Sequence, residues 1–368
     1  MPPEATVIDH AVALLQAGEL VAFPTETVYG LGADAANPAA VGRIFAAKGR
    51  PADHPLIVHL PADGYLDNWA SDIPRQAWEL TEAFWPGPLT LILRRGRGVP
   101  GVVTGGQETI GLRVPAHPLA LTLLRAFAEA GGGLGGLCGV AAPSANRFGR
   151  ISPTEAAHVR AELGESVRLI LDGGRCAVGI ESTIIDLSRG AGEAPRLLRP
   201  GAITPEQIAT VIGRLPAVGC EPRGAGAEAV PRVPGALAAH YAPATPMRLL
   251  PATEIARLAG TPAAGRCHAV LCHSQMAAAE AVLLVRRLPA DPAHYAHELY
   301  AALRELDQSS ADLILVEDVP ATAAWSAIAD RLQRAASGAG GSAKSPSLEP
   351  ARQSTGAVRC SAPGRNSG

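Results

Sequence analysis

The stretch KGRPADHPLIVHL (48–60) sets Lys48 and Arg50 two positions apart, directly before an apolar run that reads as a buried strand. A turn there needs only the glycine and the prolines, so the two cations point to an anion. Arg113 lies inside the otherwise apolar TIGLRVP (109–115), and Arg199 stands before Pro200–Gly201. Polar side chains gather at the neighbouring strand ends: Thr25, Glu26 and Thr27; Ser144 and Asn146; Glu181, Ser182 and Thr183. A single arginine in a strand is ordinarily a surface residue that snorkels outward, and loops also need polar caps. Three cationic spots beside hydroxyl and amide groups instead describe a pocket for a ligand with several anionic groups. Arginine offers a planar fork for carboxylate or phosphate, and lysine a point charge.

Other patterns carry less. GGGLGG (131–136) lacks the strand before and the Lys–Ser/Thr after that a phosphate loop requires, so it reads as a loop. CHAVLCH (267–273) departs from Cys-x-x-Cys spacing and alternates as a strand does, so no metal site is assigned. Neither Ser144 nor Ser182 sits in G-x-S-x-G, and no His or Asp nominates a triad.

Composition narrows the classes. A hydrophobic fraction of 47% supports a buried core, while 40 glycines and 32 prolines imply many tight loops. The formal net charge of −2 gives no general field for nucleic acid, although a local basic concavity is allowed. Six cysteines without framework spacing fit a reducing compartment. The first residues, MPPEATVIDHAVALLQAG, are broken by Asp9 and His10 and do not form a signal peptide. No apolar run reaches the ~20 residues of a membrane span. These features describe a cytoplasmic protein with no membrane partner.

The polar residues must be positioned by an α/β scaffold. Helical spacing over 8–16, 41–48, 74–84 and 118–130 mixes with short strands at 20–23, 55–60, 89–95 and 109–115 without regular alternation. That predicts a mixed, twisted sheet with open loops. PTETVYGLGADA (24–35) reads as a polar loop, and in SPTEAAHVRAEL (152–163) Ser152 reads as an N-cap with Pro153 at the first helical position. The catalytic unit is expected over 1–215 and a Gly/Ala/Pro/Arg-rich linker over 216–245. A small α/β domain follows over 246–336, with a disordered tail over 337–368. In the small domain HYAHELYAALREL places Ala296, Leu299, Tyr300, Leu303 and Leu306 on one helix face.

In family order the chain carries PTETVYGLGADA, KGRP with PLIVHL, WPGPLTLIL, TIGLRVPAHP, APSAN, ISPT, LDGG, GIESTIIDL and LRPGAIT. Together these resemble the YrdC-type threonylcarbamoyl-adenylate synthases. HYAPATP, LYAALRELD, DLILVEDVP and AIADRLQRAA extend the likeness to the longer, two-domain form. The resemblance implies a YrdC-like sheet with an open concave pocket and a smaller Rossmann-like C-terminal domain. It implies that L-threonine, bicarbonate and ATP, with Mg²⁺ on the triphosphate, give threonylcarbamoyl-AMP and pyrophosphate. The product would pass to a separate tRNA threonylcarbamoyl transferase complex, with at most weak contact to tRNA itself.

By motif, Thr27, His59, Arg113, Ala142 and Ser182 would line the threonine site. Lys48, Arg50, His54, Thr109, Ser144, Asn146, Ser152, Arg199 and Tyr241 would hold ATP, with Lys48, Arg50, Ser144 and Asn146 closest to the chemistry. The sequence departs from the family at His54, where asparagine is usual. It departs again at PGALAAHYAP, where the linker usually reads closer to PGMKYRHYAP, and at GGGLGGLCG, a longer loop than usual. Two other classes compete: an RNA-binding or ribosome-associated module using the same concavity, and a carbamoyl-transfer module of hydrogenase maturation. The acylphosphatase and zinc-finger regions of the latter are not visible here.

Overall fold

The computed structural model describes residues 3–190, 192–218, 230–260, 267–276 and 281–340. The expected tail lies almost wholly outside them, as does the glycine-rich first half of the linker.

In the first domain the strands are β1 (Val21–Phe23), β2 (Gly30–Asp34), β3 (Ile57–His59), β4 (Ala70–Ser71), β5 (Leu89–Arg95), β6 (Thr109–Arg113), β7 (Val140–Ala141), β8 (Leu169–Ile170), β9 (Thr183–Asp186), β10 (Arg196–Arg199) and β11 (Ala217–Val218). Its helices are α1 (Pro3–Gln16), α2 (Pro38–Lys48), α3 (Leu66–Trp69), α4 (Arg75–Phe84), α5 (Pro118–Glu129), α6 (Ala156–Leu163) and α7 (Pro205–Ile212). The sheet runs β11-β10-β9-β5-β6-β3-β7-β2-β1-β8, with β4 on β5. Parallel pairs (β3/β6, β5/β9) alternate with antiparallel ones (β5/β6, β3/β7), which is the mixed sheet expected. Because β3 and β6 are parallel with His59 opposite Arg113, those two side chains end their strands together.

The sequence reading needs three corrections. GLGAD is no part of a polar loop; it is β2, buried along its length between β1 and β7. Gly32 allows this approach, since a Cβ there would stand 2.7 Å from the Phe23 ring. The first sheet also extends past residue 215, because β11 pairs with β10. Ser152 caps no helix. Helix α6 begins at Ala156, and residues 151–154 are committed elsewhere: the Pro153 carbonyl accepts from Tyr29 N, and the Ser152 hydroxyl donates to Glu181.

The second domain has strands β12 (Met247–Leu250), β13 (His268–Cys272), β14 (Val282–Arg287) and β15 (Leu313–Glu317), ordered β12-β15-β13-β14 and all parallel. Helices α8 (Ala252–Gly260), α9 (Pro292–Gln308) and α10 (Ser326–Gly338) complete it. The predicted face of α9 is buried, with Asp291 accepting from His294 N as its cap. That face does more than fill a domain core. One apolar cluster joins Tyr295, Leu299, Tyr300, Ile328 and Leu332 to Tyr241 of the linker and to Val28, Ile151 and Ile180 of the first domain. Ion pairs Arg175–Glu298 and Arg304–Glu162 flank it at 2.8 and 3.0 Å.

Candidate active site

Helix α2 explains the spacing in KGR. Asn37 caps its start, and Gly49 ends it in the left-handed conformation (φ +60°), the turn that only glycine takes without cost. Lys48 is therefore the last helical residue, and Arg50 begins the chain's return to β3. Both are buried. The Lys48 ammonium donates to the carbonyls of Ser144 and Asn146, while the Phe148 N–H donates back to the Lys48 carbonyl at 2.8 Å. Lys48 thus pins the APSAN loop. Burial, reinforced by Arg50, pushes its pKa well below the usual lysine value. Arg50 donates to the Pro55 carbonyl at 2.9 Å and lies over the Phe148 ring, leaving its buried Nε without a partner.

Thr27, Arg50, His59, Arg113, Ala142, Ser144, Ser182, Arg199 and Tyr241 line one cavity, joined by Glu181, Pro234, Gly235 and His240. Arg113 is buried in its wall. Its Nε donates to the Gly87 carbonyl (3.2 Å), its Nη1 to the Thr27 hydroxyl (2.9 Å) and its Nη2 to the Glu26 carboxylate (2.6 Å). Three of its five N–H groups are so engaged, and two remain for a ligand. The Thr25 hydroxyl spends its hydrogen on the Val28 carbonyl (2.6 Å), so in the 2.8 Å contact between Thr25 and Thr27 the donor is Thr27. Beside them His59 is held neutral. Burial, then the charge of Arg113, lowers its pKa to about 3, and its Nδ1 has no partner.

Arg199, which lines the same cavity, donates through Nε and Nη2 to the carbonyl and hydroxyl of Ser182 (both 3.0 Å) and through Nη1 to the Pro234 carbonyl (2.9 Å). The linker therefore reaches the cavity through backbone as well as His240 and Tyr241. The loss of Met and Lys from its motif has not removed it from the site. Tyr241 adopts φ +60°, and its buried hydroxyl has no partner. His240 packs edge-on against it at 4.1 Å, and burial with nearby cations outweighs Glu181 to hold its pKa at about 3.

Five of the residues expected at the site lie off the cavity wall, Lys48 with its bonds to the Ser144 and Asn146 carbonyls among them. Ser152 meets it only through Glu181 (2.6 Å). Asn146 turns its amide nitrogen to the carbonyls of Arg147 and Arg150, leaving its Oδ1 buried and unpartnered. His54 packs edge-on to Phe148, with ring centroids 5.2 Å apart. Thr109 opens β6 and lines a separate groove with Arg94, Gln107, Ser188, Val230 and Pro231. Sequence reasoning assigns no site role to Glu26 or Glu181, although both stand among its strand-end polar residues. Nothing in the sequence singles out Arg331, whose guanidinium reaches Glu181 at 2.8 Å from α10.

The family model Sua5–YciO–YrdC, described as telomere recombination, matches residues 13–201. A second, described as the threonylcarbamoyl-AMP synthase C-terminal domain, matches 203–337. The chain is 41% identical to the threonylcarbamoyl-AMP synthase of Bacillus subtilis, covering 90% of this chain and 93% of that one. With the synthase of Pyrococcus abyssi it shares 39% identity over 88% of this chain and 92% of the other. The crystal structure of P. abyssi Sua5 complexed with L-threonine superposes with a TM-score of 0.77 at 38% identity, covering 90% of this chain and 94% of that chain. On these grounds the chain belongs to the Sua5–YciO–YrdC family, in the two-domain form that carries the synthase C-terminal domain.

Proposed function

We propose that this chain is an L-threonylcarbamoyladenylate synthase, converting L-threonine, bicarbonate and ATP to threonylcarbamoyl-AMP and pyrophosphate. The carrying observation is that Arg113 with Thr27, a neutral His59, and the guanidiniums of Arg50 and Arg199 converge on one cavity. The two spare N–H groups of Arg113 suit the threonine carboxylate. A neutral His59 can take a hydrogen bond from the threonine amine without adding charge. Once the neutral amine has added to CO₂ from bicarbonate, its proton and the hydroxide lost from bicarbonate leaving as water, a carbamate oxygen attacks the α-phosphorus and pyrophosphate leaves. No protein nucleophile is needed, so the residues act by holding two anions in line and neutralising phosphate charge.

Mg²⁺ arrives as part of the MgATP substrate. In that form the triphosphate and water would supply most of its ligands. We place the reaction in the cytoplasm, with the product handed to a separate transferase complex that acts on tRNA. Direct contact with tRNA stays weak, since the chain has no net positive charge to offer. The RNA-binding alternative fits poorly for a further reason: Arg50, Arg113 and Arg199 are each 7% exposed or less, out of reach of a phosphate backbone.

Pyrophosphate release should require ATP, bicarbonate and L-threonine together; release that ignores threonine overturns the assignment. Gly235 tests the linker. It has φ +79°, and a Cβ there would stand 2.1 Å from the Tyr241 hydroxyl. Gly235→Ala is expected to displace the linker at a cost of about 1–3 kcal/mol, read calorimetrically as about tenfold weaker ATP binding. Unchanged ATP affinity would separate the linker from the nucleotide. His54 tests the pH response. Burial, then Arg50, lowers its pKa from 6.5, so it becomes charged only in acid. Activity should therefore vary below pH 6.5 through this group, and His54→Asn should remove that component; superimposable profiles would exclude it.

A further inference from the structure

Arg331 is 1% exposed, and its hydrogen bonds all run toward the catalytic side or to its neighbour. Its Nε donates to Glu181 Oε2 (2.8 Å), and its Nη2 donates to the carbonyls of Glu181 (3.3 Å) and Pro200 (3.0 Å). Its Nη1 pairs with Asp330 (2.7 Å), and its Cζ stands 5.4 Å from the centre of the Tyr241 ring. The same Glu181 carboxylate also accepts from the Tyr300 hydroxyl (2.8 Å) and from Ser152 (2.6 Å). Both of its oxygens are thereby engaged, with two of the three side-chain donors coming from the C-terminal domain.

Arg199 lines the same cavity as Glu181, yet every acceptor it meets is neutral: the carbonyl and hydroxyl of Ser182 and the carbonyl of Pro234. A buried guanidinium without a carboxylate partner is costly unless an anion completes it. Glu181 sits next to Ser182 in the chain and is the acid best placed to quench it. The two share no hydrogen bond or ion pair, although Arg199 is close enough to help keep Glu181 ionised.

We propose that Arg331 is a positioning residue. By holding the Glu181 carboxylate together with Tyr300, it prevents Glu181 from pairing with Arg199, and so leaves the charge of Arg199 for the phosphates of the nucleotide. The C-terminal domain thereby sets the electrostatics of a site it does not line. Electrostatics agree with the geometry. Burial works against an ionised Glu181, but Arg331 and then Arg199 overcome it and hold the pKa at about 2, so a real negative charge must be kept in place. This inference rests on reading Arg199 as a phosphate partner.

The test uses the full chain and measures ATP and L-threonine binding by calorimetry alongside pyrophosphate release. Arg331→Met should weaken ATP binding about 10- to 100-fold, the equivalent of losing one charge-assisted contact, with threonine affinity within about threefold. Adding Glu181→Gln should restore most of the ATP affinity, because no carboxylate remains to capture Arg199. A merely structural role would weaken both ligands alike and show no such rescue; either result overturns the proposal. Should the single variant fail to fold, removing Arg331 in the Glu181→Gln background should leave ATP affinity unchanged, and a further loss there also overturns it. Arg199→Met separates the premise from the proposal. Full ATP affinity in that variant defeats the reading of Arg199, whereas weak binding there with normal binding by Arg331→Met defeats the role of Arg331 alone.

Discussion

Replacing Arg113 by lysine is expected to abolish threonine recognition while leaving ATP binding nearly intact. The guanidinium bonds Gly87, Thr27 and Glu26 in one plane and still keeps two donors for a ligand. An ammonium has three donors and no fork, so it cannot hold both that frame and a carboxylate. The substitution also weakens the hold on a buried Glu26, whose other oxygen accepts from Ala116 N at 3.0 Å. Losing a bidentate charged contact at a buried site costs about 3–5 kcal/mol. The specificity constant for threonine should therefore fall by about two to four orders of magnitude. Calorimetry with each ligand separately checks this. Equal losses for threonine and ATP would mean that Arg113 does not face the amino acid.

Acid should unfold the protein earlier than its carboxylates alone would predict. His59 and His240 are held at about 3, and His158 at about 4, in each case chiefly by burial. Above pH 6.5 these imidazoles are neutral in both folded and unfolded chains, so they contribute no pH dependence there. Below it the unfolded chain takes up protons that the native one refuses, and stability falls with pH down to the folded values. Glu181, held at about 2, adds a loss of the same sign below its ordinary 4.5. Asp34, whose carboxyl is raised by burial, opposes them with a single proton.

Each histidine contributes on the order of 1 kcal/mol per pH unit, and a domain has about 5–15 kcal/mol in all. Unfolding in urea should then show a plateau above pH 7 and a steep decline between pH 6 and 4. Equal stability at pH 7.5 and pH 5 would show that these histidines are protonated in the native protein.

Much of the scaffold was legible because its signals are local. The helix ending at Lys48, the helix starting at Pro118 and the face of α9 follow from φ preferences and a 3.6-residue period, and all are found. β2 was hidden because GLGAD has none of the β-branched or aromatic residues that mark a strand; Phe23 and the neighbouring strands supply its packing. Ser152 misled for a related reason. Ser-Pro followed by Glu satisfies the capping rules locally, but the hydroxyl found a stronger acceptor in Glu181, 29 residues away.

The same division holds for the site. Its cations and hydroxyls, their order along the chain and their family could all be read from the sequence, since residue type dictates what a side chain can bind. Which of them meet, and in what state of charge, depended on the tertiary structure. Only the parallel pairing of β3 and β6 sets neutral His59 beside Arg113. Only packing of the two domains on a shared apolar cluster brings α10 to Glu181. KGRP shows the limit of local reading most clearly. Lys48, expected at the phosphates from its motif, braces the loop of Ser144 and Asn146 with two of its three donors. A buried ammonium must satisfy its donors within reach, and a fold that brings two backbone carbonyls to it cannot be read from the sequence.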